Sequence, residues 1–389
     1  MNKSVLVVGN FNPDPSIYTY ARSFYKTFKQ LGFPTNYVDC VPHVFLENVK
    51  IINKITTPLA TAIANQQVVQ AVKQHRPELV FIIKGQHLAP RTIQAIKATG
   101  ARVVNFYPDS PFALWNNNST AAVLQSLPLF DCFLSWSPIL TPALLASGSK
   151  HVCSFPFAYD ETIYHDHTPL FHPFGAPFDN LRVSGEAKNS LLLSLSKDEA
   201  QRARKSELRE QIDVCFIGTW EPAREAMLEV LITRLPNVSF AIWGNRWQEH
   251  AQSLLIKKWL KGNAVYAKQM VSIYKNTKII LNFLRDQNAG AHNMRTFEVP
   301  ATKSFLLTER TDQQARVFFQ ENYSIACFSG IDELIEKINT YLHDSEARTI
   351  ISERGFIAAQ DYTLSKQLLN YVEHCPALRT RNACHDKAH

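Results

Sequence analysis

Short apolar runs that end in Gly, Asn or Pro, each followed by a segment of helical spacing, recur along both halves of this chain and leave few folds open to it. Ser4–Asn10 is such a run, closing on Gly9-Asn10, with helical spacing over Ile17–Leu31 and a next strand near Asn36-Tyr37-Val38. Val68–Gln74 reads as helix, Leu79–Ile83 as a strand ending at Lys84-Gly85, and Thr92–Thr99 as helix again. Arg102–Phe106 is a strand running into Tyr107–Pro111, and Cys132–Trp136 and Val152–Phe155 are further short strands. Such alternation predicts a mostly parallel sheet with helices on both faces, a Rossmann-like layer.

In a sheet of this kind, function gathers in the loops at the carboxyl ends of the strands. Three stand out: Asn10–Asp14, Lys84–His87 and Tyr107–Pro111. Asn10, Asn12, Lys84 and Tyr107 are the polar side chains they offer to an acceptor. Asp109, held between two prolines, reads either as a carboxylate that binds or deprotonates an acceptor hydroxyl or as a turn aspartate capping nearby N–H groups. The first loop lacks G-x-G-x-x-G, which argues against a dinucleotide cofactor there.

From about Asp160 the pattern changes. His165–Gly185 has no period and reads as a long connection, whereas Ser196–Gln211 alternates charge at helical spacing and reads as a solvated helix. His165, His167 and His172 have no cysteine beside them and few carboxylates, so no metal site is expected. The α/β rhythm restarts at Val214–Trp220. Pro222–Leu235 follows as a helix, and Phe240–Trp243 as a strand closing on Gly244-Asn245. Gly218 permits close backbone approach, and Arg224, in the first helical turn, reads either as a phosphate ligand or as a solvated surface arginine. Next comes the apolar run Ile279–Leu284 and then Gly290–Glu298, a loop opening a short helix before a strand at Ser304–Thr308. A glycine, a histidine, an arginine and a carboxylate within one strand-to-helix loop read as a phosphate-ligand site. The alternative is a helix start with an internal Arg295–Glu298 pair.

Composition narrows the partners. At 389 residues two domains are expected, and 46% apolar with 19% charged residues is globular. The net charge of +7 is spread along the chain without a basic stripe, which argues against nucleic acid as a partner. Seven scattered cysteines form no C-x-x-C pair and read as reduced, buried thiols. With no signal-like start and no apolar run of membrane-spanning length, a cytoplasmic protein is expected.

The stretch His292–Glu298, then Ala301-Thr302-Lys303, then Phe305–Thr311, resembles the glycosyltransferases related to the spore maturation protein family CgeB. Ala326–Ser329 and Asp332–Ile335 extend the resemblance, which runs from about Asp213 to Tyr371. Over the first half it rests on Asn105–Pro111 and Ser154–Asp160. It implies an α/β GT-B architecture: two Rossmann-like domains face each other across a cleft, and the second holds most of the donor. It further implies a retaining, hexosyltransferase-like enzyme that moves a sugar from a nucleotide diphosphate to an unidentified acceptor. Carried over residue by residue, Glu298 takes the ribose hydroxyls while His292 and Arg295 stand near the diphosphate. Gly218, Thr219, Trp220, Arg224, Trp243, Gly244, Asn245, Asn282, Gly290, Asn293, Met294 and Lys303 complete the expected donor set. Asp109, His292 and Arg295 are the expected catalytic residues.

Two departures qualify the resemblance. The broader superfamily often carries an earlier glutamate, eight positions before Glu298, and Gly290 stands there; Thr302-Lys303 replaces the usual glycine. No D-x-D-like acidic pair flanks a strand, so a metal-independent reaction without a cofactor is expected. The missing glutamate motivates one rival, a non-catalytic nucleotide or sugar sensor, and a GT-B sugar epimerase is a further one. The expected organisation is a first domain over 1–160, a linker over 161–211 and a second domain over 212–362. A helix over 363–376 crosses back to the first domain, and 377–389 forms a frayed tail.

Overall fold

The structure is a computed structural model that describes residues 3–14, 17–42, 50–113, 118–166, 212–288 and 290–374. The first sheet contains β1 (Val5–Gly9), β2 (Thr35–Asp39), β3 (Leu79–Ile83), β4 (Arg102–Phe106), β5 (Cys132–Ser135) and β6 (Val152–Ser154), in the order β2-β1-β3-β4-β5-β6. The second contains β7 (Ile212–Ile217), β8 (Phe240–Trp243), β9 (Leu260–Gly262), β10 (Thr277–Asn282), β11 (Leu306–Glu309) and β12 (Ala326–Phe328), in the order β12-β11-β10-β7-β8-β9. Every pairing within both sheets is parallel. β1 and β3 are buried along their whole length, as strands covered by helices on both faces must be.

Helical spacing sets which faces close over the sheets. The helix Tyr20–Gln30 turns Ala21, Phe24, Thr27 and Phe28 inward, and the Thr19 hydroxyl caps it by accepting from the Arg22 N–H at 3.3 Å. The last described helix, Leu364–His374, buries Leu364, Leu368, Tyr371 and Val372. Its Tyr371 ring meets Phe81 of the first sheet at 6.5 Å and Phe155 at 6.3 Å. The chain thus returns to the first sheet, through paired backbone bonds from Leu364 N–H to the Tyr159 carbonyl (2.9 Å) and from Tyr159 N–H to the Tyr362 carbonyl (3.2 Å).

Some elements differ from the sequence expectation. The helix over Val68–Gln74 is one end of a much longer helix, Lys50–His75, which carries Pro58. β9 and the helices Thr141–Ala146 and Ala267–Lys275 have too few periodic positions to be read in advance. The expected connection His165–Gly185, beyond its first two residues, the helix Ser196–Gln211 and the tail 377–389 lie outside the described residues. Cys40, Cys215 and Cys327 are free thiols, and the Sγ atoms of Cys132 and Cys153 lie 3.1 Å apart. Among the described residues no helix is long and apolar enough to cross a membrane.

Candidate functional site

A crevice opens at the carboxyl ends of parallel strands where successive connections leave for opposite faces of the sheet. In the first sheet that point lies between β1 and β3, and in the second between β7 and β10. Both crevices open into one cavity of 420 Å³. Tyr18, Tyr20, Lys84 and Asp109 line it from the first sheet, and Gly218, Thr219, Arg224, Gly244, Asn245, Asn282, Asn293, Met294, Arg295 and Glu298 from the second.

One wall is cationic. Arg224 is buried and donates from Nη1 to the Thr219 carbonyl and from Nη2 to the Phe283 carbonyl, both at 3.0 Å. Burial pulls its pKa down to about 10, which leaves it charged at neutral pH. Glu221 pins this group and a second guanidinium together, with its carboxylate 3.3 Å from Arg224 Nε and 3.0 Å from Arg285 Nε. Arg285 and Arg295 also line the cavity, and Arg295 Nε finds no hydrogen-bond partner among the described residues. Three guanidinium groups around one small volume, two of them sharing the Glu221 carboxylate, are suited to a multiply charged anion.

Glu298 stands in the same cavity under different physics. Its side chain is 2% exposed, and burial pushes its pKa up to about 7, against the pull of Arg295 and the Tyr164 hydroxyl. Its Oε2 has no hydrogen-bond partner among the described residues, and neither has the buried hydroxyl of Tyr20, which also faces the cavity. A buried acceptor without a donor is costly, which suits this position to a ligand hydroxyl.

Backbone shape explains the glycines. Gly244 has φ +152°, and a Cβ there would fall 1.8 Å from the Gly218 carbonyl oxygen, so the tips of β7 and β8 touch through their main chains. Trp247 Nε1 donates to that same carbonyl at 2.7 Å. Asn293 does two jobs. Its side-chain amide exchanges hydrogen bonds with that of Asn282 at 2.8 and 3.2 Å, and its Oδ1 accepts the Arg295 N–H at 3.0 Å, at the start of the helix Arg295–Ala301. One of that helix's leading donors is therefore already satisfied, so the positive field in the cavity comes chiefly from guanidinium groups.

Asp109 bridges the cleft. Its Oδ2 lies 2.8 Å from Lys84 Nζ, and its Oδ1 accepts from Gln287 Nε2 at 3.0 Å, a residue that follows β10 in the other half. The Ser110 N–H donates to Gln287 Oε1 at 3.3 Å. Lys84 holds a left-handed φ of +61°, a strained conformation of the kind that clusters at functional sites.

Other expected residues lie elsewhere. His292 is fully buried: its Nε2 accepts the Phe157 N–H at 3.0 Å and its Nδ1 faces Gln313 Oε1 at 2.9 Å. Trp136, Phe157, Phe297 and Phe318 surround the ring, and burial lowers its pKa to about 4. It is a neutral strut between the halves, away from the cavity lining, because both ring nitrogens are already engaged. Asn10 and Asn12 close local turns by accepting the N–H groups of Asn12 and Asp14. Tyr107 is buried and donates to the Asn118 carbonyl at 2.6 Å. Trp220 stacks on His250 and donates to Glu225, and neither it nor Trp243 lines the cavity. Gly290 sits outside, where a Cβ would meet Ile139 of the first half at 2.8 Å. Lys303 faces a different cavity. Sequence reasoning missed Tyr18, Tyr20, Tyr164, Arg285 and Gln287. The signal for Arg285 and Gln287 was their position directly after β10, by the same strand-end rule that picked out Asp109. Among the described residues, no group of three or more His, Cys, Asp or Glu side chains is placed to hold a metal.

Residues 224–372 match a family model described as glycosyl transferase-like. No curated protein matches the chain by sequence. Solved structures match over nearly its whole length. HepE from Anabaena in complex with UDP-glucose aligns with a TM-score of 0.59 at 12% identity, covering 96% of this chain and 99% of that one. Sucrose-phosphate synthase from Thermosynechococcus elongatus gives 0.60 at 9% identity, covering 95% and 98%. UDP-GlcNAc 2-epimerase from Neisseria meningitidis bound to UDP-GlcNAc gives 0.50 at 12%, covering 94% and 100%. With two six-stranded parallel sheets facing one cavity, the chain has the GT-B fold.

Proposed function

We propose that this protein is a glycosyltransferase that binds a nucleotide diphosphate sugar in the cavity between its two sheets and transfers the sugar to an acceptor hydroxyl. The observation that carries this reading is the pairing of three guanidinium groups with a buried, underbonded carboxylate in one 420 Å³ volume. The diphosphate lies against Arg224, Arg285 and Arg295, close to the bare backbone of Gly218 and Gly244. The ribose hydroxyls donate to Glu298. As the bond from the anomeric carbon to the diphosphate oxygen breaks, negative charge grows on the leaving group, and the fixed guanidinium groups meet it without a divalent ion. The acceptor oxygen bonds to the anomeric carbon. Asp109, held by Lys84, accepts the acceptor's hydrogen bond once Gln287 releases it. Retention of configuration, the outcome the superfamily resemblance implies, sends the acceptor's proton to the departing phosphate. Because Anabaena HepE and the Neisseria epimerase were solved with uridine nucleotides, UDP-sugars are the first donors to test.

Gly290 supports a second reading. The glutamate that the superfamily often places there is absent, and a bulkier residue would press on Ile139. On that ground the scaffold serves as a nucleotide-sugar sensor, while the similarity to the Neisseria epimerase supports an epimerase. A donor screen by calorimetry, followed by product analysis, separates the readings. A transferase releases nucleotide diphosphate faster when acceptor is supplied, an epimerase yields a new nucleotide sugar with no acceptor, and a sensor binds without turnover. No binding of any nucleotide diphosphate sugar would refute all three.

A further inference from the structure

The helix Arg295–Ala301 ends in a turn that normally requires glycine, and this chain places a lysine in it. Lys303 has φ +55°, with its N–H bonded to the Pro300 carbonyl at 2.9 Å and the Ser304 N–H to the Val299 carbonyl at 3.4 Å. A side chain at such a left-handed closing position is strained, which glycine avoids. The side chain borders a second cavity of 400 Å³, at the amino ends of β10 and β11, opposite the end of the sheet that holds the nucleotide cavity. Lys275, Lys278 and Arg348 line the same volume, and Ser304 and Thr349 add hydroxyls.

Four cationic side chains face two carboxylates there, Asp166 and Glu353. Lys275 Nζ lies 3.0 Å from Asp166, and Lys278 Nζ lies 2.7 Å from Asp213 just outside, so the cations are held in place by carboxylates that leave the lining net positive. Lys303 Nζ sits 4.8 Å over the Phe356 ring, and Arg348 is braced on the carbonyls of Tyr341 and Leu342. The long helix Ser345–Ala359 begins at the rim with Ser345, but the Asp344 carboxylate caps it by accepting the Ala347 N–H at 2.8 Å, so the positive charge of the cavity comes from its side chains.

We propose that this cavity is a second anion site that takes a phosphate group, free or carried by a small phosphorylated molecule, separately from the nucleotide cavity. The test is thermal denaturation of the full chain with inorganic phosphate, against chloride at equal ionic strength, in the presence of saturating nucleoside diphosphate to fill the first cavity. A hexose phosphate arm distinguishes an organic phosphate, which melts higher at equal concentration, from free phosphate, which suffices alone. The wild type and Arg285→Ala are expected to gain stability with phosphate. Lys303→Gly relieves the backbone strain and folds without hindrance, yet needs about tenfold more phosphate for the same shift. Lys303→Arg keeps the response, and Lys303→Gln, which removes the charge but keeps a polar side chain, loses it. The proposal is overturned when the wild type melts identically in phosphate and chloride, or when Lys303→Gly and Lys303→Gln respond like the wild type. Failure of nucleoside diphosphate to bind would count against the transferase reading only, because phosphate dependence on Lys303 and indifference to Arg285 are read out without it.

Discussion

Glu298 carries opposite demands from stability and from binding. Its pKa near 7 exceeds the ordinary 4.5 of a glutamate because burial disfavours the charge. The folded state therefore holds a proton that the unfolded state has lost, and stability present below pH 4.5 drains away as pH rises toward 7, by about 3 kcal/mol. Glu298→Gln should remove that loss, so at pH 8 the variant unfolds at higher denaturant concentration than the wild type. It should also bind the nucleotide diphosphate at least about tenfold more weakly at pH 8, with the gap closing toward pH 6, as calorimetry across that range will show. A variant that binds as tightly as the wild type at pH 8 would remove Glu298 from the ribose contact. His292 behaves oppositely: its pKa near 4 means that stability present above 6.5 is lost as pH falls toward 4. Between about 4.5 and 6.5 the two trends oppose each other. His292→Ala should cost about 2–4 kcal/mol in chemical denaturation, through an opened cavity and an orphaned Phe157 N–H. From sequence this histidine looked like a diphosphate ligand, because residue type says nothing about which ring nitrogens are already bonded.

Among the elements, the strand tips do the positioning. Gly218 and Gly244 press main chain to main chain, so Gly244→Ala should displace both loops. The expected result is a lower melting temperature together with a loss of nucleotide affinity of about tenfold or more; unchanged affinity would mean that the loops do not touch the ligand. Much of this scale was legible: strands β3, β4 and β8 fall where the apolar runs end, and the loops after them hold Lys84, Asp109, Gly244 and Asn245. Side-chain direction was not. Trp243 alternates away from the cavity, Trp220 turns to His250 and Lys303 faces the far end of the sheet, and each depends on a register or a helix end that spacing alone does not give. Arg285 and Gln287 were overlooked because the loop after β10 begins earlier than its glycine.

At the scale of the molecule, the two halves share an apolar cluster that includes Trp136, Phe157 and Phe297, and they also meet at a polar contact, Asp109 with Gln287. The first packs aromatic rings of both halves together, with Phe157 reaching the cavity, while the second spans the cleft at the cavity wall. Gln287→Ala should leave the fold intact and loosen the cleft, seen as a larger radius of gyration by solution scattering that nucleotide diphosphate reverses. An unchanged radius would show that the apolar cluster alone sets the closure. Contacts of this kind join residues as far as 178 positions apart, which is why the sequence pointed to two facing domains but not to the side chains that join them. The proposed donor site is the cavity between the sheets, and a crystal grown with a nucleotide diphosphate tests it most directly. Density for the diphosphate against Arg224, Arg285 and Arg295, with the ribose hydroxyls on Glu298, is the predicted result; a nucleotide bound anywhere else would contradict it.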